Sequence, residues 1–297
     1  MTTILPTAAI TDEFSPDLET AVQAMAEIGM TGAELRVVFS KNILDLTDEE
    51  VERARQIVTA RGLEVISLSS PLLKCVLPDA PPIDTRFQHD VFASKHSFED
   101  QPRLTARAFA IAQKTGARII RVFSYWRTQA PEKCFDRIVE ALARMAQDAA
   151  REDLIIGLEN EAACNVATGA ETARVLEALD HPNLKVVWDP ANAYVAGEVP
   201  FPEGYRKMPR GRIAHVHAKD CYLEGLKPVW GPLGACALDW KGQIAALLED
   251  GYRGYVSLET HWPGPGNNKF QASVICGWNM QSLLNRGQTE RFQSPRL

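Results

Sequence analysis

Short runs of aliphatic and β-branched residues alternate with longer stretches whose apolar residues recur every three or four positions, and the alternation runs from one end of the chain to the other. A first strand is expected near Ala8–Asp12. The first helix is expected over Asp17–Gly29, where Asp17 can cap, Leu18, Val22, Met25 and Ile28 share a face, and Gly29 stops the helix. Further strands are predicted at Ala33–Val37, Leu63–Ser69, Arg118–Phe123, Leu154–Glu159, Lys185–Asp189, Ile213–Ala218 and Tyr255–Glu259. Helices are predicted at Thr47–Arg61, Pro102–Thr115, Glu132–Arg151, Gly169–Leu179, Trp240–Asp250 and Phe270–Asn285. Thr47-x-x-Glu50 reads as a capping box, because each side chain can satisfy a backbone N–H at the helix start. Two long connections, Ser70–Asp100 (with His89 and His96) and Tyr194–Gly211, are rich in proline and read as lids or binding loops.

Eight strands alternating with helices predict a parallel (β/α)8 barrel of the TIM type, a single domain over residues 1–297. An open doubly wound sheet would call for a glycine-rich phosphate loop after an early strand, and neither G-x-G-x-x-G nor G-x-x-x-x-G-K-[ST] occurs. The net charge of −6 repels phosphate backbones, so no nucleic-acid partner is expected. No apolar run is long enough to span a membrane, and no basic segment followed by a long apolar one opens the chain. The six cysteines are scattered without a C-x-x-C pair, which points to reduced thiols and a cytoplasmic location.

Candidate chemistry appears where the late strands end. In a barrel of this kind the reacting groups sit where strands run into the following loops. The fifth strand ends at Glu159, the sixth at Asp189 and the eighth at Glu259, while the seventh carries His215-Val216-His217. One of those two imidazoles is expected to face the barrel interior; periodicity does not say which. A single acidic residue after a strand is ordinarily a helix cap or a loop residue. Three carboxylates and an imidazole from four neighbouring strands are a different matter, because such groups together are costly without a cation. Oxygen-rich ligands with one histidine suit a divalent metal ion; Mn²⁺ is expected, with Mg²⁺, Co²⁺ or Zn²⁺ as alternatives.

At these positions the chain resembles the xylose-isomerase-like superfamily of TIM-barrel sugar isomerases and epimerases. The resemblance rests on Gly157-Leu-Glu-Asn-Glu161, Trp188-Asp-Pro-Ala-Asn192, His215-Val-His-Ala-Lys-Asp220 and Ser257-Leu-Glu-Thr260, and spans about Ala8 to Leu284. It implies one divalent ion held by Glu159, Asp189, His217 and Glu259, with His215 as a packed or supporting histidine and Asn160 behind the ligands. Superfamily members include ketose 3-epimerases, hydroxypyruvate isomerases, inosose and dehydroshikimate dehydratases, and an endonuclease branch. Ketose epimerases often carry a histidine three residues after the ligand aspartate; Asn192 stands there instead.

The ligand set suggests proton transfer next to a carbonyl through an enediolate, with Glu159 and Glu259 as acid and base and Lys219 as a proton donor or oxyanion partner. Epimerisation, isomerisation and dehydration remain open outcomes, with a dehydratase on a keto-polyol or 3-keto sugar as the main alternative. Expected contacts to a small sugar or keto-sugar are Glu13, Arg36, Lys74, Ser124, Asn192, Trp126 and Trp262, each with a plain loop or packing role as the rival reading. His261 is a candidate behind Glu259, and Cys164 reads as a packed thiol. The superfamily also suggests a homo-oligomer. An endonuclease would need more histidine ligands and a basic groove; a non-catalytic barrel would have little use for paired glutamates.

Overall fold

The computed structural model describes residues 5–87 and 95–289; His89 lies outside them. Eight strands close into a parallel barrel: β1 (Thr7–Ile10), β2 (Gly32–Leu35), β3 (Glu64–Leu72), β4 (Ile119–Val122), β5 (Ile155–Glu159), β6 (Leu184–Trp188), β7 (Ile213–Ala218) and β8 (Val256–Leu258). Each is hydrogen-bonded to its neighbours in chain order, and β8 closes on β1 with Thr7 opposite Val256. Parallel neighbours require a crossover outside the sheet. The helices α1 (Leu18–Ile28), α2 (Asp48–Thr59), α3 (Gln101–Thr115), α4 (Phe135–Arg151), α5 (Gly169–Ala178), α6 (Pro190–Val195), α7 (Trp240–Glu249) and α8 (Lys269–Thr289) supply it. This is the (β/α)8 architecture expected from the alternation.

Local signals set the helix ends. Asp17 accepts the Thr20 amide at 2.9 Å, and Gly29 closes α1 at φ 89°, a left-handed conformation that costs glycine little. Thr47 and Glu50 form both bonds of the expected capping box, and Thr168 with Glu171 repeats the device on α5.

Within the strands, period-two alternation divides two layers. One phase, including Ile120, Ile156, Leu158, Val186 and Val216, is buried in the main apolar core, each large side chain contributing about 1.5–3 kcal/mol. Trp188 belongs to that phase and donates its indole N–H to Gln243 of α7. The other phase points into the barrel and carries the polar groups described below.

Several boundaries differ from expectation. After β1 the chain turns at once into a short helical segment, Thr11–Phe14, which removes Asp12 from the strand and places Glu13 within that turn. Strand β3 runs on to Leu72, so Ser70 and Pro71 belong to the sheet rather than to a loop. The segment read as the Tyr194–Gly211 loop holds the end of α6 and helical turns at Pro200–Gly204 and Tyr205–Lys207. A two-stranded ribbon, Asp220–Glu224 with Lys227–Gly231, follows β7 and was not anticipated. Lone exposed strands carry little hydrophobic signal of their own.

Candidate metal centre

The inward phase of the strands brings the acidic groups together. One ligand-type atom from each of Glu159, Asp189, His217 and Glu259 lies within 4.8 Å of the others, and all four residues are buried. His217 Nδ1 is 3.0 Å from Glu159 Oε1 and 3.4 Å from Glu259 Oε2. Lys219 Nζ sits 2.8 Å from both Asp189 Oδ2 and Glu259 Oε2. Arg121 Nη1 lies 3.2 Å from Glu159 Oε2 and 3.8 Å from Glu259 Oε1.

The buried oxygens Glu159 Oε2 and Asp189 Oδ2 have neighbouring cations but accept no aligned hydrogen bond among the described residues. Buried carboxylate oxygens are ordinarily satisfied. Two left in this condition within one cluster are what a site for a divalent cation requires, so the donor set fits such an ion.

Electrostatics distinguish the members. Burial raises the Asp189 carboxyl to about 7, with Glu259 and Glu159 adding repulsion that Lys219 only partly offsets. Burial also disfavours charge on Glu159, but His217 and Arg121 outweigh it and hold that carboxyl below its ordinary range. Glu259 is held well below by Lys219 and His217 against the same opposing effect. The His217 imidazole is pushed well above its usual value because Glu34, Glu159 and Glu259 overcome its burial.

Asp189 ends β6 and opens α6. Its Oδ1 accepts the Asn192 amide at 2.8 Å, so the residue caps a helix and joins the cluster at the same time. Asn160 fastens the two strand ends, accepting the Asp189 amide at 2.9 Å and donating to the Asp189 carbonyl at 2.8 Å. The Asn192 side-chain amide reaches the Asn160 carbonyl at 3.0 Å and Glu159 Oε1 at 3.4 Å.

A small pocket opens beside Glu259, lined by Arg36, Lys74, Arg121, Phe123, Glu161 and His261 among others. Arg36 donates to Glu259 Oε1 at 3.1 Å and pairs with Asp12 and Glu13. Glu13 also meets Lys269 Nζ at 2.6 Å. The Lys74 ammonium lies 4.3 Å from the Phe123 ring centroid and 3.3 Å from Glu161. Trp126 packs with Phe123, Ala163 and the buried Cys164. A larger cavity of about 880 Å³ lies at the opposite, N-terminal ends of the strands, among Ile213, Tyr205 and Gly254, and holds none of the clustered acids.

Two expectations change, and a further residue joins the surroundings of the cluster. His215 and His217 both face inward and are fully buried, because residues two apart on a strand share a side; their rings meet edge to face at 5.3 Å. Ser124 is buried with its hydroxyl accepting the Val166 amide at 2.8 Å, outside the pocket lining. The inward residue of that strand is Arg121, in phase with Phe123. Trp262 and Trp230 are both partly buried against the core, and Trp230 of the ribbon also lies 4.7 Å from the His261 ring and 5.7 Å from Lys219 Nζ. Glu34 also belongs to this cluster, in contact with His215 and His217; it stands two positions before Arg36 in the inward phase, and no motif in the sequence marks it.

A family model described as xylose isomerase-like TIM barrel matches residues 22–276. No curated protein matches the chain at a significant level. Solved structures similar to it include an L-ribulose 3-epimerase, at 15% identity and TM-score 0.71, covering 99% of each chain. Another is the probable 3-DHS dehydratase AsbF of petrobactin synthesis from Bacillus anthracis, at 20% identity and TM-score 0.69, covering 95% of this chain and all of that one. A third is the IOLI protein with a bound zinc atom, at 14% identity and TM-score 0.72, covering 95% of this chain and 99% of that one.

Proposed function

This chain belongs to the xylose isomerase-like TIM-barrel family, and we propose that it is a divalent-metal-dependent sugar isomerase or epimerase that transfers a proton next to a substrate carbonyl through an enediolate. The observation that carries this reading is the convergence of Glu159, Asp189, His217 and Glu259, with two buried carboxylate oxygens lacking an aligned donor. Charge balance supports it. Asp12, Glu13, Glu34, Glu159, Glu161, Asp189 and Glu259 surround the mouth with Arg36, Lys74, Arg121, Lys219 and Lys269. With His217 neutral, as a ligand must be, carboxylates outnumber cations among these groups, an imbalance that a bound dication would offset. Mn²⁺ is the ion we propose.

When bound, a divalent ion stabilises the negative charge that develops on a carbonyl oxygen. The rest falls to the chain. Glu259 lines the pocket, Arg36 donates to its Oε1, and Lys219 favours its ionised form, the state in which it can accept a proton from carbon. Glu159, across His217, is the second proton carrier: it returns a proton to carbon when it enters the step protonated, while Glu259 enters ionised. In this reading Lys219 Nζ donates toward a substrate oxygen, and Arg36 and Lys74, which line the pocket, bind others. Phe123 and Trp126 form an apolar wall that excludes water.

A dehydratase on a keto-polyol or 3-keto sugar is the second reading. It is favoured by the buried ammonium of Lys219 beside Glu259, which suits protonation of a departing hydroxyl, and by the likeness to AsbF. The test is Mn²⁺-loaded protein in D₂O with ketoses, inososes, 3-keto-glycosides and dehydroshikimate, followed by NMR. Deuterium should enter the carbon beside the carbonyl, and Glu159→Gln or Glu259→Gln should slow the exchange by about 10²–10⁴-fold. Products formed only by β-elimination would select the dehydratase; no turnover of any substrate would overturn both.

A further inference from the structure

Beneath the candidate ligands lies a second buried group. Glu34, at the inward end of β2, is completely buried. Its Oε1 is 2.7 Å from His215 Nε2 and its Oε2 accepts the Ser69 hydroxyl at 2.8 Å, so β7 and β3 hold it from two sides. The remaining face meets His217, whose Nε2 lies 3.3 Å from Oε1 and 3.4 Å from Oε2. The two nitrogens of the His217 ring therefore look in opposite directions, Nδ1 toward Glu159 and Glu259, Nε2 toward Glu34.

A neutral imidazole that ligates through one nitrogen carries its proton on the other, and the partner of that N–H fixes tautomer and ring orientation. Building on the metal-centre reading above, we propose that Glu34 is a positioning residue: it takes the Nε2 proton of His217 in a hydrogen bond, leaving the Nδ1 lone pair directed at the ion. Ser69 and His215 act one step further out, by preventing the carboxylate from turning away. A buried carboxylate with no such task is expensive to retain in a barrel interior. His215, buried on the same inward side, meets Glu34 through Nε2 and has no hydrogen-bond partner for Nδ1 among the described residues, so its contact in this cluster is with Glu34.

The experiment is Mn²⁺ affinity of the full chain by competition with a fluorescent chelator, for wild type, Glu34→Gln, His217→Ala and the double variant. Glu34→Gln keeps the shape of the side chain but weakens the acceptor, and should bind Mn²⁺ about 10–100-fold more weakly. In the His217→Ala background the same change should cost almost nothing further, because the effect runs through His217. Equal losses in both backgrounds, or an unchanged affinity in Glu34→Gln, would overturn the role of Glu34 while leaving the metal centre standing. A wild type that binds no Mn²⁺ would remove the metal centre and this inference together. Should Glu34→Gln not melt cooperatively, ¹⁵N-histidine NMR of Mg²⁺-saturated wild type decides the matter, with the His217 signal identified from the His217→Ala spectrum. A proton on Nε2 is the expected result, and a proton on Nδ1 contradicts it.

Discussion

At the scale of single residues, Asp189 concentrates the argument. It caps α6 through Oδ1 while Oδ2 faces the cluster, and burial raises its carboxyl to about 7. A ligand must be deprotonated, so below that pH the proton on Asp189, together with the one held on His217, competes with the ion. Metal affinity should therefore fall steeply as pH drops from 8 to 6, and isothermal titration at several pH values should show protons released on binding. Asp189→Asn keeps the cap, since its side-chain oxygen still accepts the Asn192 amide, but withdraws a charged ligand; its loss of Mn²⁺ affinity should exceed the about 10–100-fold typical of a supporting group. An Asp189→Asn protein that binds Mn²⁺ as well as wild type would remove Asp189 from the ligand set. Glu159, Asp189 and Glu259 were visible in the chain because each follows a short, largely apolar run of strand length. Arg121 was hidden behind its neighbour Ser124, which stands in the opposite phase and spends its hydroxyl on the Val166 amide. Trp230 was out of reach altogether, because it arrives at the site on a ribbon whose strands pair mainly with each other.

At the scale of elements, strict alternation explains why one end of the barrel is polar inside. Glu34 and Arg36, Ser67 and Ser69, Arg121, Glu159, Asp189, His215 with His217 and Lys219, and Ser257 with Glu259 each occupy the inward phase of their strands. Counting back by two from His217 places His215 inside, and counting back by two from Arg36 places Glu34 inside; reading the two histidines as opposed concealed the rule. Gly157 follows the same rule. It is two residues before Glu159, and a Cβ there would meet Val187 Cγ2 at 2.7 Å and Ile119 Cγ2 at 3.0 Å, inward side chains of the flanking strands. Gly157→Val should thus force β5 away from its neighbours and destabilise the fold by about 1–3 kcal/mol. It should also lower metal affinity by shifting Glu159. Chemical denaturation and chelator competition on the same sample check both effects, and a variant with wild-type stability would contradict the packing described. Helix ends were the most legible feature, since Asp17, Gly29 and the Thr47/Glu50 box act through local hydrogen bonds alone. Strand ends were less so. Where β3 continues to Leu72 the limit is set by pairing of Leu72 with Val122 of β4, information that no local window contains.

At the scale of the molecule, the closed parallel barrel was the easiest inference, because eight units of strand and helix in strict succession admit few other arrangements. Family membership follows from the match over residues 22–276. Chemistry is less determined by fold, as one barrel mouth serves epimerases and dehydratases alike. Within this chain the decisive feature is the arrangement of charge. Acidic groups from β5, β6 and β8 converge on His217, while Arg36, Arg121 and Lys219 hold them from the rim. All of the proposed chemistry depends on a cation at the centre of that arrangement. The most direct measurement is a crystal of the protein grown with Mn²⁺ and recorded at the manganese absorption edge. The account predicts a single strong anomalous peak within bonding distance of Glu159, Asp189, His217 Nδ1 and Glu259. An empty cluster at millimolar Mn²⁺, or a peak bound by other residues, would contradict it.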